Sequence, residues 1–159
     1  MPSKQLISPL PYFSDSAALF SALAAQPWAV FLDSGYPHSD QGRYDIIASE
    51  PLVTLVTKGE TTQICRNGSV EESNADPFDL LKQELVENPR GAFPNLPFNG
   101  GAIGYFSYDL VRRLEKLPIV ADDAEHIPEM AVGIYHWAVV VDHHQKQSFL
   151  VGNGRNETH

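Results

Sequence analysis

The sequence predicts an α+β fold, with mainly antiparallel strands and helices set among them. Short apolar runs bounded by turn residues indicate the strands, and two segments with helical spacing follow capping residues. Twelve prolines and eleven glycines break the chain too often for a helical bundle.

The first helix is expected behind Ser14-Asp15-Ser16, whose side chains suit an N-cap; Leu19, Phe20 and Leu23 then share a face, and the helix stops before Pro27. Trp28 to Ser34 is a continuous apolar run ending in the polar Asp33-Ser34 before Gly35, and it reads as a strand buried on both faces. A turn-rich loop, Gly35 to Gly42, leads into a second strand, Arg43 to Ala48. Leu52 to Thr57 forms a third, turned by Lys58-Gly59-Glu60 into Thr61 to Arg66, with Asn67-Gly68 as a further turn of this antiparallel meander. Asp76-Pro77 caps a second helix in which Phe78, Leu81 and Leu85 recur up to Glu87, and Asn88-Pro89-Arg90-Gly91 ends it.

Gly100 to Ser107 follows as a strand whose small residues permit close backbone approach, and Tyr108 to Glu115 is helical in pattern and closed by Pro118. Met130 to Asp142 is the longest aliphatic and aromatic run, and Gln147 to Val151 pairs back on it across a turn holding His143-His144. Residues 1–151 are read as one domain and 152–159 as a polar tail or linker.

A chain of 159 residues can bury roughly 68–70% of its unfolded surface, so no staple is required for folding. The lone Cys65 excludes an intrachain disulfide and suits a reducing, cytoplasmic compartment. A net charge of −9 argues against nucleic acid as a partner, because phosphates need clustered Lys and Arg. No segment approaches the roughly 20 apolar residues of a membrane span, and no basic start with an apolar run suggests export.

Gly100-Gly101-Ala102-Ile103-Gly104 lacks the spacing of a dinucleotide or triphosphate loop, so tight packing is the expected role. His143 and His144 are adjacent and show no metal-ligand spacing; no metal is expected in this chain. His136, inside an aromatic strand, reads as a hydrogen-bonded core histidine. The first two strands carry the richer chemistry. Asp33 and Ser34 end one while Arg43, Tyr44 and Asp45 open the next, so pairing them gathers two carboxylates, a guanidinium, a hydroxyl and an aromatic face. Such a group could hold an amino acid, with Leu32, Tyr44 and Ile46 as an apolar slot; the competing reading is an internal Arg–Asp pair that closes the strand ends.

Three blocks of sequence carry a family resemblance: Trp28 to Tyr36 with Gly42 to Ile47 and Glu50-Pro51; Leu96 to Leu110 with Arg112 to Pro118; and Pro128 to Ala138 with Val141-Asp142-His143. In this order they resemble the large subunits of aminodeoxychorismate synthases, within the wider anthranilate synthase component I superfamily. The Ile134 to Ala138 run and Ser34-Gly35-Tyr36 look like the aminodeoxychorismate type.

That resemblance implies two sheets packed face to face between helices, and an amino-terminal part that interleaves with a carboxy-terminal chorismate-binding half. It implies amination of chorismate with ammonia from a glutamine amidotransferase subunit, and magnesium in the full-length enzyme. The family's catalytic acids and lysine lie beyond this chain, so the fragment is expected to be inactive and to hold no cofactor. It also implies a tryptophan-type pocket whose contacts carry over to Ser34, Gln41, Gly42, Arg43 and Tyr44, with Leu32, Asp33 and Asp45 as additions. Alternative readings are the corresponding part of anthranilate synthase and a free-standing amino-acid-binding module. A fragment without its other half is further expected to self-associate.

Overall fold

Tight turns and alternating apolar residues produce two five-stranded sheets in the computed structural model, which describes residues 4–87, 93, 95–113 and 126–154. In chain order the elements are β1 (Lys4–Leu10), α1 (Ser16–Leu23), β2 (Val30–Leu32), β3 (Tyr44–Ala48), β4 (Val53–Lys58), β5 (Thr61–Arg66) and β6 (Ser69–Ser73). Then come α2 (Pro77–Glu87), β7 (Gly101–Phe106), a 3₁₀ helix (Tyr108–Arg113), β8 (Met130–Tyr135), β9 (Trp137–Asp142) and β10 (Gln147–Gly154). The chain divides into two compact units, Met1–Pro51 with Asn88–Gly101 and Tyr135–His159, and Leu52–Glu87 with Ala102–Ile134.

The first unit is the sheet β1-β10-β9-β3-β2 with α1. Asp15 caps α1 by accepting the Ala18 N–H at 3.0 Å. The helix then packs Leu19, Phe20 and Leu23 against Ile47, Val139 and Val141, with the Phe20 and Phe31 rings stacked at 5.4 Å. Full burial of a side chain of this size is worth roughly 1.5–3 kcal/mol, and these partly buried ones contribute less each. Register decides the faces. Asp45 lies opposite Val141 and Ile47 opposite Val139, whereas Tyr44 lies opposite Asp142 and Ile46 opposite Val140 on the other side of the sheet.

Three features of this sheet differ from the sequence reading. The run from Trp28 to Ser34 is not a strand buried on both faces: β2 covers three residues, pairs only with β3 at the sheet edge, and leaves Leu32 46% exposed. An apolar run looks alike in a central and an edge strand, because only the pairing separates them. β1, unforeseen, pairs with β10 from Lys4↔Gly154 to Leu10↔Ser148; it is the opposite edge of the sheet, where the N–H that Pro9 lacks is tolerated. β10 accordingly runs to Gly154, into the stretch expected to be a tail.

The second unit is the sheet β6-β5-β4-β8-β7 with α2. Its core joins Val53, Leu55, Ile64, Met130, Val132 and Ile134 to Leu80 and Leu81 of α2 and to Leu110. The β4–β5 and β5–β6 hairpins turn at the positions expected. At Gly104 an added Cβ would meet the Ala131 carbonyl and come within 2.6 Å of Val132 Cα, so glycine is what lets this strand lie so close to β8.

Three corrections belong here. The buried face of α2 is Pro77, Leu80, Leu81 and Glu84, while Phe78 and Leu85 are exposed; Phe78 instead stacks on Phe106 with centroids 5.4 Å apart. Buried Glu84 is compensated by Arg66, which also holds Glu71 at 2.9 Å. Tyr108 begins a 3₁₀ helix rather than an α-helix, its Leu110 N–H reaching back three residues to the Ser107 carbonyl, and the rest of the expected helix, Leu114 and Glu115, lies with the closing Pro118 outside the described residues, as does Asn88 to Gly91. The run Met130 to Asp142 breaks at His136 into two strands that join different sheets.

Candidate functional site

The antiparallel pairing of β2 with β3, Leu32 opposite Ile46, brings the end of one strand to the start of the other, as the spacing of Ser34 and Asp45 requires. Ser34 donates twice to Asp45 Oδ1, from its backbone N–H at 2.9 Å and from Oγ–H at 2.8 Å. The other carboxylate oxygen meets His143 Nε2 at 2.7 Å. The Tyr12 hydroxyl lies 2.8 Å from His143 Nδ1, and Ser16 Oγ lies 3.5 Å from Nε2. Asp45 and His143 are both buried.

Burial alone would raise the Asp45 carboxyl, but hydrogen bonds from Ser16, His143 and Ser34 outweigh it and hold the group below its ordinary value. An ionised Asp45 only accepts, so His143 Nε2 carries the proton directed at it. Both serine hydroxyls therefore face a carboxylate or a protonated nitrogen, while the Tyr12 hydroxyl meets the remaining ring nitrogen. For the serines the order is wrong for a nucleophile activated by a base.

Arg43 goes elsewhere. It makes a bidentate pair with Asp142, Nε at 3.2 Å from Oδ1 and Nη2 at 2.9 Å from Oδ2, and its guanidinium carbon sits 4.5 Å from the Tyr44 ring centroid. Burial would raise Asp142, yet Arg43 and the backbone N–H groups of Gln145 and His144 bring it below the ordinary carboxylate range. Sequence reasoning allowed an internal Arg–Asp pair, but its acid is Asp142, delivered by β9, rather than a neighbour in the chain. Arg43, Tyr44 and Asp142 line a cleft of about 410 Å³, closed by Asn95, Leu96, Gln145 and Phe149 among others.

The expected site residues thus separate into two groups. Ser34 and Asp45 meet at the buried histidine, while Arg43 and Tyr44 line the cleft. Gly42 packs against Tyr36 and Ser34: an added Cβ would stand 2.7 Å from Tyr36 N and 3.1 Å from the Ser34 carbonyl oxygen. Gln41 is exposed, Leu32 is exposed, and Asp33 caps the loop by accepting the Gly35 N–H at 2.7 Å. Missed altogether were Tyr12, Tyr36 and the role of His143; His143 lies 98 residues beyond Asp45 and 131 beyond Tyr12, and no local spacing announces their meeting.

His136 is a further correction. Burial lowers its pKa against the pull of Glu50, and Nδ1 is buried with no hydrogen-bond partner among the described residues, so the expected hydrogen-bonded core state does not hold at that nitrogen. Among the described residues no helix is long and apolar enough to cross a membrane.

Comparison with known proteins resolves the class. A model of the chorismate binding enzyme family matches residues 29–159. The chain belongs to that family. Aminodeoxychorismate synthase component 1 of Klebsiella aerogenes is 46% identical over 94% of this chain, though over only 34% of its own length. The chloroplastic anthranilate synthase alpha subunit 2 of Arabidopsis thaliana is 34% identical over 76% of this chain and 21% of its own. The chain spans about a third of the aminodeoxychorismate synthases it matches. The crystal structure of anthranilate synthase component I from Streptococcus pneumoniae TIGR4 superposes on 94% of this chain and 32% of its own, with a TM-score of 0.57 at 23% identity; the two share a fold. As a member of that family, the chain has the α+β architecture of mainly antiparallel sheets with flanking helices that its resemblance implied.

Proposed function

We propose that this chain is the amino-terminal, non-catalytic part of an aminodeoxychorismate synthase large subunit. The complete enzyme would convert chorismate and ammonia to 4-amino-4-deoxychorismate, for p-aminobenzoate and folate synthesis, in the cytoplasm. The ammonia would come from a glutamine amidotransferase subunit. One observation carries the reading: identity to an aminodeoxychorismate synthase reaches 46% across nearly the whole chain, against 34% for an anthranilate synthase. The chemistry would be left to the chorismate-binding half, where the resemblance places the catalytic acids and the lysine.

Magnesium, which the family implies for the complete enzyme, would be held by the other half; among the described residues no group of three or more His, Cys, Asp and Glu could hold a metal ion. What this part would contribute is half of a tryptophan-type pocket with Ser34, Gln41, Gly42, Arg43 and Tyr44 as its contacts, of which Arg43 and Tyr44 line the cleft. The cleft volume of about 410 Å³ suits a ligand of amino-acid size. Asp142 engages Nε and Nη2 of Arg43, which leaves Nη1 to receive a carboxylate, while the Tyr44 ring gives an apolar wall.

Two measurements test this. The chain extended through its chorismate-binding half should form 4-amino-4-deoxychorismate from chorismate and ammonia, and the 159-residue chain should form none. Anthranilate as the product would move the chain to the sister enzyme. Tryptophan at millimolar concentration should raise the melting temperature of the chain, and Arg43→Gln should abolish that rise; no shift in the unaltered chain would remove the pocket.

A further inference from the structure

We propose that His143 is the positioning residue of the loop from Asp33 to Gly42, the segment that presents Ser34, Gln41 and Gly42. The imidazole reaches that loop at two places, Ser34 and Tyr36. The Tyr36 ring lies flat on it, with centroids 4.2 Å apart and planes 7° from parallel. Ser34 is reached through Asp45, whose one oxygen meets His143 Nε2 while the other takes both Ser34 donors.

The loop's own hydrogen bonds do not replace this anchor. His38 and Ser39 N–H donate to the Gly35 carbonyl, Gly42 N–H to that of Ser39, Gln41 N–H to Ser39 Oγ, and Gly35 N–H to Asp33 Oδ1. All five shape the loop internally and none ties it to the sheet. Gly42 then fits behind Tyr36, where an added Cβ would stand 2.7 Å from Tyr36 N, so whatever sets Tyr36 also sets the route of the chain into β3.

The histidine is itself fixed. Its backbone N–H donates to the Arg43 carbonyl at 2.9 Å, the Tyr12 hydroxyl meets Nδ1 at 2.8 Å, and the Tyr12 ring approaches edge-on at 5.8 Å. Only an imidazole combines a flat face for Tyr36 with two ring nitrogens for Asp45 and Tyr12. Arg43 closes the circuit, since its carbonyl holds His143 while its side chain lines the cleft. The β9–β10 turn thereby sets the geometry of a loop about a hundred residues earlier, as the separation of 98 between His143 and Asp45 requires.

Any consequence for ligand binding rests on the amino-acid pocket proposed above; the loop geometry does not. The test is amide hydrogen exchange by mass spectrometry on the chain and on His143→Phe, His143→Gln and Tyr36→Leu. His143→Phe keeps a ring but takes from Asp45 Oδ2 its imidazole partner, and exchange at Ser34 and Gly35 should rise on the order of tenfold while β9 stays protected. His143→Gln restores a donor to Asp45 without a ring; protection at Ser34 should return to within about threefold of the unaltered chain while residues 36–42 stay loose. Tyr36→Leu, which leaves the buried network intact, should loosen residues 36–42 alone, and it decides the matter if His143→Phe fails to fold. Loop exchange within about twofold of the unaltered chain in Tyr36→Leu, or an equal rise in the loop, β3 and β9 in His143→Phe, overturns the proposal. Tryptophan binding separates the two readings: a loop that responds in a chain showing no tryptophan shift supports the positioning role and removes the pocket.

Discussion

A single added carbon at Gly42 would collide with backbone, not with a side chain able to swing away: the nearest atoms are Tyr36 N, Tyr36 Cα and the Ser34 carbonyl oxygen. Gly42→Ala is therefore expected to cost about 1–3 kcal/mol, read as a lower urea midpoint with an unchanged slope. The carboxylates give a second prediction. Asp45 and Asp142 have folded pKa values below their ordinary ones, so the stability they contribute is fully present above the unfolded value of ~3.9 and is lost as pH falls through the lowered folded values. Urea midpoints followed from about pH 6 to about pH 2 should fall below roughly pH 4, and Asp45→Asn should make that fall shallower. A variant as steep as the unaltered chain would mean that Asp45 carries none of the linkage.

Among the elements, β7 depends on glycine in the same way. Gly104→Ala should force it away from β8, where the Cβ would press on Ala131 and Val132, and cost about 1–3 kcal/mol. Exchange in β7 and β8 should rise while the first unit's β9 and β10 stay protected. The elements also show how far sequence pattern reaches. Caps named both helices, because Asp15 and Asp76 act on N–H groups two or three residues away. Hairpins at Gly59 and Asn67-Gly68 were legible for the same local reason. The break at His136 was not: the apolar residues on either side of it look alike, and what differs is which strand each meets, β4 for Val132 and β3 for Val139.

For the whole molecule, exposed Leu6, Ile7, Tyr105, Phe106 and Tyr108 leave apolar surface in water, and on the reading proposed above the chain should self-associate through such surface. Light scattering is expected to give a mass above 17.6 kDa that rises with concentration. A constant monomer mass at high concentration would count against that expectation. Family membership was legible at this scale because three separated blocks keep their order along the chain, which no single motif among them could show.

The site divides along the same line. Ser34 and Asp45 could be paired from sequence, since two adjacent antiparallel strands joined by a short loop bring those positions together whatever the rest of the chain does. By itself, then, the sequence determined most of the strands, the caps, the turns and the family, all of which depend on neighbours in the chain or on ordered blocks of residues. Tertiary structure alone decided that Arg43 pairs with Asp142, that Tyr36 lies on His143, and that β2 is an edge strand. Those facts depend on β9 lying beside β3, and pairing between segments far apart in sequence leaves no periodic trace in either one.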